Sequence, residues 1–149
     1  MLEYGLPGVL MKKLLLVFPA VPAVILIFMG VRWLANPYAA AQAQFMPLLD
    51  GMALSSQIAD IGALFFCMGC MILLGLITQN KTWIQATIFM LITIATMRII
   101  AWLFHDAALA IPMIVVELVM SGMLYFSANK LSRNPAQNLS QKESWYEYF

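Results

Sequence analysis

The sequence predicts an all-α integral membrane protein, an antiparallel bundle of four transmembrane helices with a short helix at the outer membrane surface. Hydrophobic residues make up 63% of the 149 residues and charged residues only 10%, whereas a soluble domain carries about 25% charged residues. Four apolar segments each approach the roughly 20 residues that cross a bilayer as a helix. Most lysines and arginines fall on one side of the membrane if all four segments span it.

The first predicted span covers residues 14–34. Together with Lys12 and Lys13 it imitates a secretory signal, but its apolar stretch far exceeds the ~7–15 residues of a signal core. We therefore expect an anchor that is retained, with a bend at Pro19 and Pro22, which remove backbone donors. The chain then divides into an N-terminal extension at 1–13, a four-helix membrane domain at 14–128 and a cytoplasmic tail at 129–149.

The longest connection follows the first span and contains a second helix signal. Asn36 and Pro37 are typical of a helix start, with an N-cap residue followed by proline at the first helical position. The alanine-rich residues 38–45 are therefore expected to form a short helix at the outer surface, where it would cover a cavity between the spans.

The other three spans are predicted at residues 54–77, 83–104 and 107–126. The turns between them, at 79–81 and 105–106, are only long enough to connect antiparallel neighbours. Pro112 is expected to kink the fourth span about one turn from its outer end.

Basic residues predict the orientation of the bundle. They precede the first span, lie in the turn after the second and follow the fourth: Lys12, Lys13, Lys81, Lys130, Arg133 and Lys142. The positive-inside rule makes that side cytoplasmic, so both termini are expected in the cytoplasm of a bacterium, with the protein in the inner membrane. A formal net charge of +1 gives no electrostatic case for nucleic-acid binding, which needs a clustered basic face.

Three ionisable residues lie inside predicted spans, where each charge costs about 2.5–3.5 kcal/mol to insert. Asp60 and Arg98 are equally far from the outer ends of the second and third spans, so we expect a buried ion pair between them. Glu117 lies about one turn deeper on the fourth span. Arg98 either bridges both acids or leaves Glu117 protonated, and the sequence leaves both alternatives open.

Further polar side chains share these helix faces at spacings of three, four or seven residues. The predicted ligand-binding residues are Asp60, Arg98, Glu117, Gln57, Ser56, His105 and Trp102. They would line one pocket that opens toward the outer leaflet. The alternative is a purely structural role, in which the charges only hold neighbouring helices together, as interhelical polar contacts do.

The leading functional hypothesis is a membrane protein that binds a lipid-like, quinone or small polar ligand at this Asp/Arg/Glu cluster. A proton-coupled transporter or channel that uses Glu117 is one alternative, and an accessory or structural subunit of a larger membrane complex is another. The expected partners are membrane lipid, a quinone or other small amphipathic ligand, and further copies of the chain as a homo-oligomer. The sequence identifies no cofactor. It also lacks the residue combinations typical of soluble enzymes, such as a metal-ligand set or a glycine-rich phosphate loop, which favours binding over catalysis.

Two sulfur patterns have competing interpretations. Cys67 and Cys70 form a C-x-x-C pair that suits thiol redox chemistry, but no second pair exists to relay electrons. Twelve methionines suit copper(I), but they are scattered over all four spans without a cluster. Packing in an apolar interior is the favoured interpretation of both patterns. The lone His105 has no companions for a metal site.

One motif carries a family resemblance. The string Ser55-Ser56-Gln57-x-x-Asp60-x-Gly62, together with Asn36-Pro37, Gly75, Arg98 and Glu117, resembles a widespread, uncharacterised family of small bacterial four-helix membrane proteins. The architecture is loosely similar to the DoxX-like group, whose members include accessory subunits of quinone-linked oxidoreductases. The resemblance covers residues 12–128 and implies the four-helix fold and the polar site, but it carries over no activity.

Overall fold

The structure is a computed structural model that describes residues 7–131, with side chains described from residue 17 onward except at residue 130. Within this range the chain forms helices and turns and no strand. No side chain of the predicted N-terminal extension is described, and residues 1–6 and the predicted tail beyond residue 131, with Arg133 and Lys142, lie outside the described residues.

The described chain contains seven helical segments, three of which follow one another without a break, so that they form four long stretches and one short helix. They are α1 (Pro7–Ala35), α2 (Pro37–Ala43), α3 (Gly51–Ser56), a π-helical segment (Gln57–Ile61), α4 (Gly62–Ile77), α5 (Lys81–Phe104) and α6 (Ile111–Leu131). The segments α3, π and α4 run on as one apolar stretch. Four stretches in the described range are long and apolar enough to cross a membrane: Val17–Ala35, Gly51–Ile77, Lys81–Phe104 and Ile111–Asn129. The prediction of four such helices is confirmed.

The fourth helix begins later than predicted and without the predicted kink. Asp106 has a left-handed backbone conformation, with φ of 51°, and residues 105–110 are not helical. The helix starts at Ile111, which makes Pro112 its second residue. Proline is tolerated in a first turn because the N–H that it lacks has no helical partner there. The expectation of a kink one turn inside the helix is therefore wrong, whereas Pro19 and Pro22 do lie in the interior of α1.

Glycines allow α1 and α4 to approach closely. A Cβ atom added at Gly30 of α1 would lie 2.7 Å from both Cβ and N of Phe66 in α4, and one added at Gly69 would lie 2.8 Å from the carbonyl oxygen of Ala23. Contacts this close between backbones require the absence of a side chain, and small residues serve this purpose in membrane helix packing.

The long helices pack as a ring in which α1 contacts α4 and α6, and α5 contacts α4 and α6. A three-residue turn joins α4 to α5, where the Asn80 side chain accepts a hydrogen bond from Thr82 N at 3.0 Å. Between these two helices, Thr87 Oγ1 donates to the carbonyl oxygen of Met68 at 3.4 Å. The ring encloses a cluster of apolar residues that are fully or almost fully buried, among them Leu26, Ile72 and Leu124.

The predicted short helix is present as α2. Asn36 caps it, since its Oδ1 accepts a hydrogen bond from Ala39 N at 3.0 Å. Beyond α2, the chain turns at Phe45, which has a φ of 57°. Buried Gln57 then holds the connection down, because it accepts from Leu49 N at 3.1 Å and donates to the Pro47 carbonyl oxygen at 3.0 Å.

Candidate functional site

A cavity of about 250 Å³ lies inside the ring, at the end of the bundle that carries α2. Its walls come from all four long helices, and the end of α2 with the residues after it forms one side. The lining residues are Leu26, Met29, Ala43, Gln44, Phe45, Phe65, Leu91, Ile94, Arg98, Pro112, Met113, Val116, Glu117 and Met120. The segment predicted to cover a cavity does line it, through Ala43, Gln44 and Phe45.

The exposed members of this lining mark where the cavity opens. Phe45 is 84% exposed and Val116 is 54% exposed, and Pro112 at the start of α6 is also exposed. By contrast, Leu26 and Leu91 are buried. The cavity lining therefore reaches the surface of the molecule at the first turns of α6 and at the residues that follow α2, and we call this side the mouth of the cavity.

An ion pair between α5 and α6 forms the polar part of the cavity wall. Arg98 Nε donates to Glu117 Oε1 at 2.9 Å. The Glu117 residue is only 9% exposed, whereas 30% of the Arg98 side chain is exposed. The two helices position the pair because they are direct neighbours. The opposite charges cancel, so the polar wall is neutral overall.

Each partner of the pair retains unused hydrogen-bonding capacity. Glu117 Oε2 is buried and has no hydrogen-bond partner among the described residues. Over the described residues, Nε is the only nitrogen of the Arg98 guanidinium with a partner, and this group carries five N–H donors in all. A buried acceptor without a donor costs about 1–3 kcal/mol. The pair thus carries one acceptor and several donors that have no partner in the described chain, on two residues that line the cavity.

The predicted Asp60 to Arg98 pair does not form. Asp60 is exposed, and the partner of Arg98 in the described chain is Glu117. Equal depth was the basis of the prediction, but α5 adjoins both α4 and α6, so depth alone could not choose the acid. Asp60 lies in the π-helical segment, where a wider turn rotates the following residues relative to a regular helix.

The other predicted site residues also lie away from the cavity lining. Gln57 is buried, but it binds the backbone at Pro47 and Leu49 and thus has a structural role. Ser56, Trp102 and His105 are exposed. Of the seven predicted site residues, the structure brings together Arg98 and Glu117 at the cavity.

The sequence did not single out most of the lining. Leu26, Met29, Met113 and Met120 look like any other apolar residues of a span, and only their position around the cavity distinguishes them. Phe45 could have been predicted as a lining residue, because it ends the alanine-rich segment that was expected to cover a pocket.

The two cysteines lie away from the cavity, whereas Met29, Met113 and Met120 line it. Cys67 and Cys70 are both free thiols, and neither lines the cavity. Over the described chain, no group of three or more histidine, cysteine and acidic side chains comes together as a metal site.

The chemistry that this arrangement supports is recognition. An apolar cavity with few convergent polar groups is typical of a small-molecule site. Comparison of the chain with family models, with curated proteins and with solved structures gives no match in any of the three. The functional argument therefore rests on the geometry of the cavity.

Proposed function

We propose that the chain is an inner-membrane protein that binds one amphipathic molecule, with the polar head of that molecule at the Arg98–Glu117 pair. The observation that carries the proposal is a neutral pair with unused donors and one unused acceptor in the wall of an otherwise apolar cavity. A lipid-like head that carries a hydroxyl meets these requirements, and so does a quinone in its reduced, quinol form. Asp60 is no longer part of the proposed site.

The volume of the cavity limits what it holds. About 250 Å³ corresponds to roughly eight water molecules at ~30 Å³ each. That space suits a polar head and the first carbons of a chain, so the remainder of a lipid-like molecule would leave through the mouth near Val116. In a membrane, this mouth would open among the acyl chains of the leaflet beside it.

The test is retention of the bound molecule through purification. Protein purified in mild detergent should carry one class of amphipathic molecule, measurable by extraction and mass spectrometry. Arg98→Ala is expected to reduce its amount per folded chain at least about tenfold, since a hydrogen bond to a charged group contributes about 1.5–3 kcal/mol. Asp60→Ala is the matched control, because it removes an intramembrane charge outside the cavity. Equal amounts in the parent and Arg98→Ala would refute the proposal.

Proton-coupled transport is a weaker candidate. A proton route from Glu117 along α6 toward its end would begin at Ser121, whose buried Oγ has no partner. The next buried residues are Leu124, Ser127 and Ala128, and Ser127 Oγ donates to the carbonyl oxygen of Met123. This largely apolar stretch favours binding over conduction. The accessory-subunit hypothesis and the loose DoxX-like likeness are compatible with ligand binding and stay proposals.

The proposal includes an antiparallel bundle with both termini in the cytoplasm, and this orientation has its own test. Alkaline phosphatase is active only where its disulfides form, in the periplasm. We expect activity when it is fused after Asp106, in the loop before α6, and none when it follows Phe149. The opposite pattern would show that the orientation is inverted.

A further inference from the structure

The hydrogen-bonding pattern of the cavity wall restricts the head of the bound molecule further than the proposed function does. This restriction rests on the proposed function, in which the cavity is the ligand site. Three features of the wall matter: its net charge, its unused donors and its unused acceptor.

The net charge of the wall argues against an anionic head. Arg98 is already paired with Glu117 at 2.9 Å, so its positive charge is compensated before any ligand enters. The remaining polar lining residue is Gln44, which is uncharged. An anion entering this cavity would approach the carboxylate of Glu117, and the site would carry a net negative charge in an apolar setting, which is unfavourable.

The unused groups call for a head with two different functions. The terminal nitrogens of Arg98 are donors without a partner in the described chain, and the buried Glu117 Oε2 is an acceptor without a donor there. Both residues line one cavity, and Oε1 of the same carboxylate binds Arg98 directly. Oε2 is buried, so a small head reaches both groups at once when the Glu117 carboxylate rotates toward the cavity.

We propose that the ligand is an uncharged amphiphile whose head combines a hydroxyl with a carbonyl or ether oxygen. The oxygen accepts a hydrogen bond from Arg98, and the hydroxyl donates to Glu117 Oε2. A glycerol ester has this combination and fits the volume of the cavity, and its chain leaves through the mouth beside Val116. A free fatty acid has the wrong charge, and a simple ester lacks the donor.

Three probes with one oleoyl chain separate these requirements. Monooleoylglycerol is neutral and has both functions, methyl oleate is neutral without a donor, and oleate is anionic. Each competes with radiolabelled monooleoylglycerol for the full chain in detergent. Monooleoylglycerol is expected to compete at a mole fraction about tenfold lower than methyl oleate, because the missing hydroxyl leaves a buried acceptor unpaired. It should also compete at a mole fraction about tenfold lower than oleate.

A substitution reverses the expected ranking. Glu117→Gln removes the negative charge and leaves that of Arg98 uncompensated, so oleate should become the tightest of the three probes. Asp60→Asn makes the same chemical change outside the cavity and should leave the ranking unchanged. The ranking in the unaltered protein needs no substitution, so the test survives a poorly folded variant.

The outcomes distinguish the two proposals. Oleate as the tightest probe for the parent, equal competition by all three, or an unchanged ranking in Glu117→Gln would overturn the neutral head class. Each of these outcomes leaves the cavity as a ligand site. Failure of every probe to compete better for the parent than for Arg98→Ala would overturn the proposed function itself.

Discussion

Arg98→Ala is expected to destabilise the protein by about 3–5 kcal/mol, whereas replacing both partners of the pair at once should not. The single substitution leaves the carboxylate of Glu117 buried without its only hydrogen-bond partner. Breaking a buried ion pair from one side has a cost of this size, but exchange of the whole pair for apolar residues is often neutral. The apolar double variant Arg98→Met with Glu117→Leu should therefore unfold within about 1 kcal/mol of the parent.

Unfolding in detergent, followed by circular dichroism against increasing denaturant, measures this difference. Arg32→Ala is the control, since Arg32 is half-exposed near the end of α1 and forms no ion pair in the described part of the chain. Its removal should change stability by less than about 0.5 kcal/mol. A double variant as unstable as Arg98→Ala would mean that the pair contributes directly to stability.

Gly30→Ala is expected to be the most damaging single methyl addition in the contact between α1 and α4. The new Cβ would lie 2.7 Å from backbone N of Phe66 and 2.8 Å from the carbonyl oxygen of Gly62. Backbone atoms cannot turn aside as a flexible side chain can, so the two helices must separate. Overpacking of this kind costs about 3 kcal/mol.

Gly122→Ala is the matched control for this prediction. Gly122 lies in α6, where an added Cβ meets nothing within 4 Å, and alanine favours the helix by up to about 1 kcal/mol. The control should be neutral or slightly stabilising in the same unfolding measurement. Equal stability of Gly30→Ala and Gly122→Ala would contradict the close packing of α1 on α4.

Sequence reasoning predicted the helices well because their signals are local. The length of an apolar segment defines a candidate span, and the Asn36-Pro37 pair defines the start of α2, whose cap is confirmed. The start of α6 was missed, since residues 107–110 are apolar but not helical. Hydropathy does not register the backbone turn at Asp106.

The site was predicted only in part because it depends on helix rotation. Sequence spacing gives the depth of a residue along a helix, and by depth both Asp60 and Glu117 were available to Arg98. Which acid faces α5 depends on how each helix is turned about its axis. The π-helical segment at Gln57–Ile61 breaks the regular spacing just where Asp60 lies. The apolar lining depends on tertiary packing, which no local pattern encodes.

The most direct test of ligand binding at the Arg98–Glu117 pair uses the apolar double variant. Its amphiphile content per folded chain should be measured by mass spectrometry of the intact protein, beside the parent. We expect one bound molecule in the parent and none in the double variant, although both are folded to the same extent. The same bound molecule in both proteins would show that the pair does not hold a ligand and serves only to join α5 to α6.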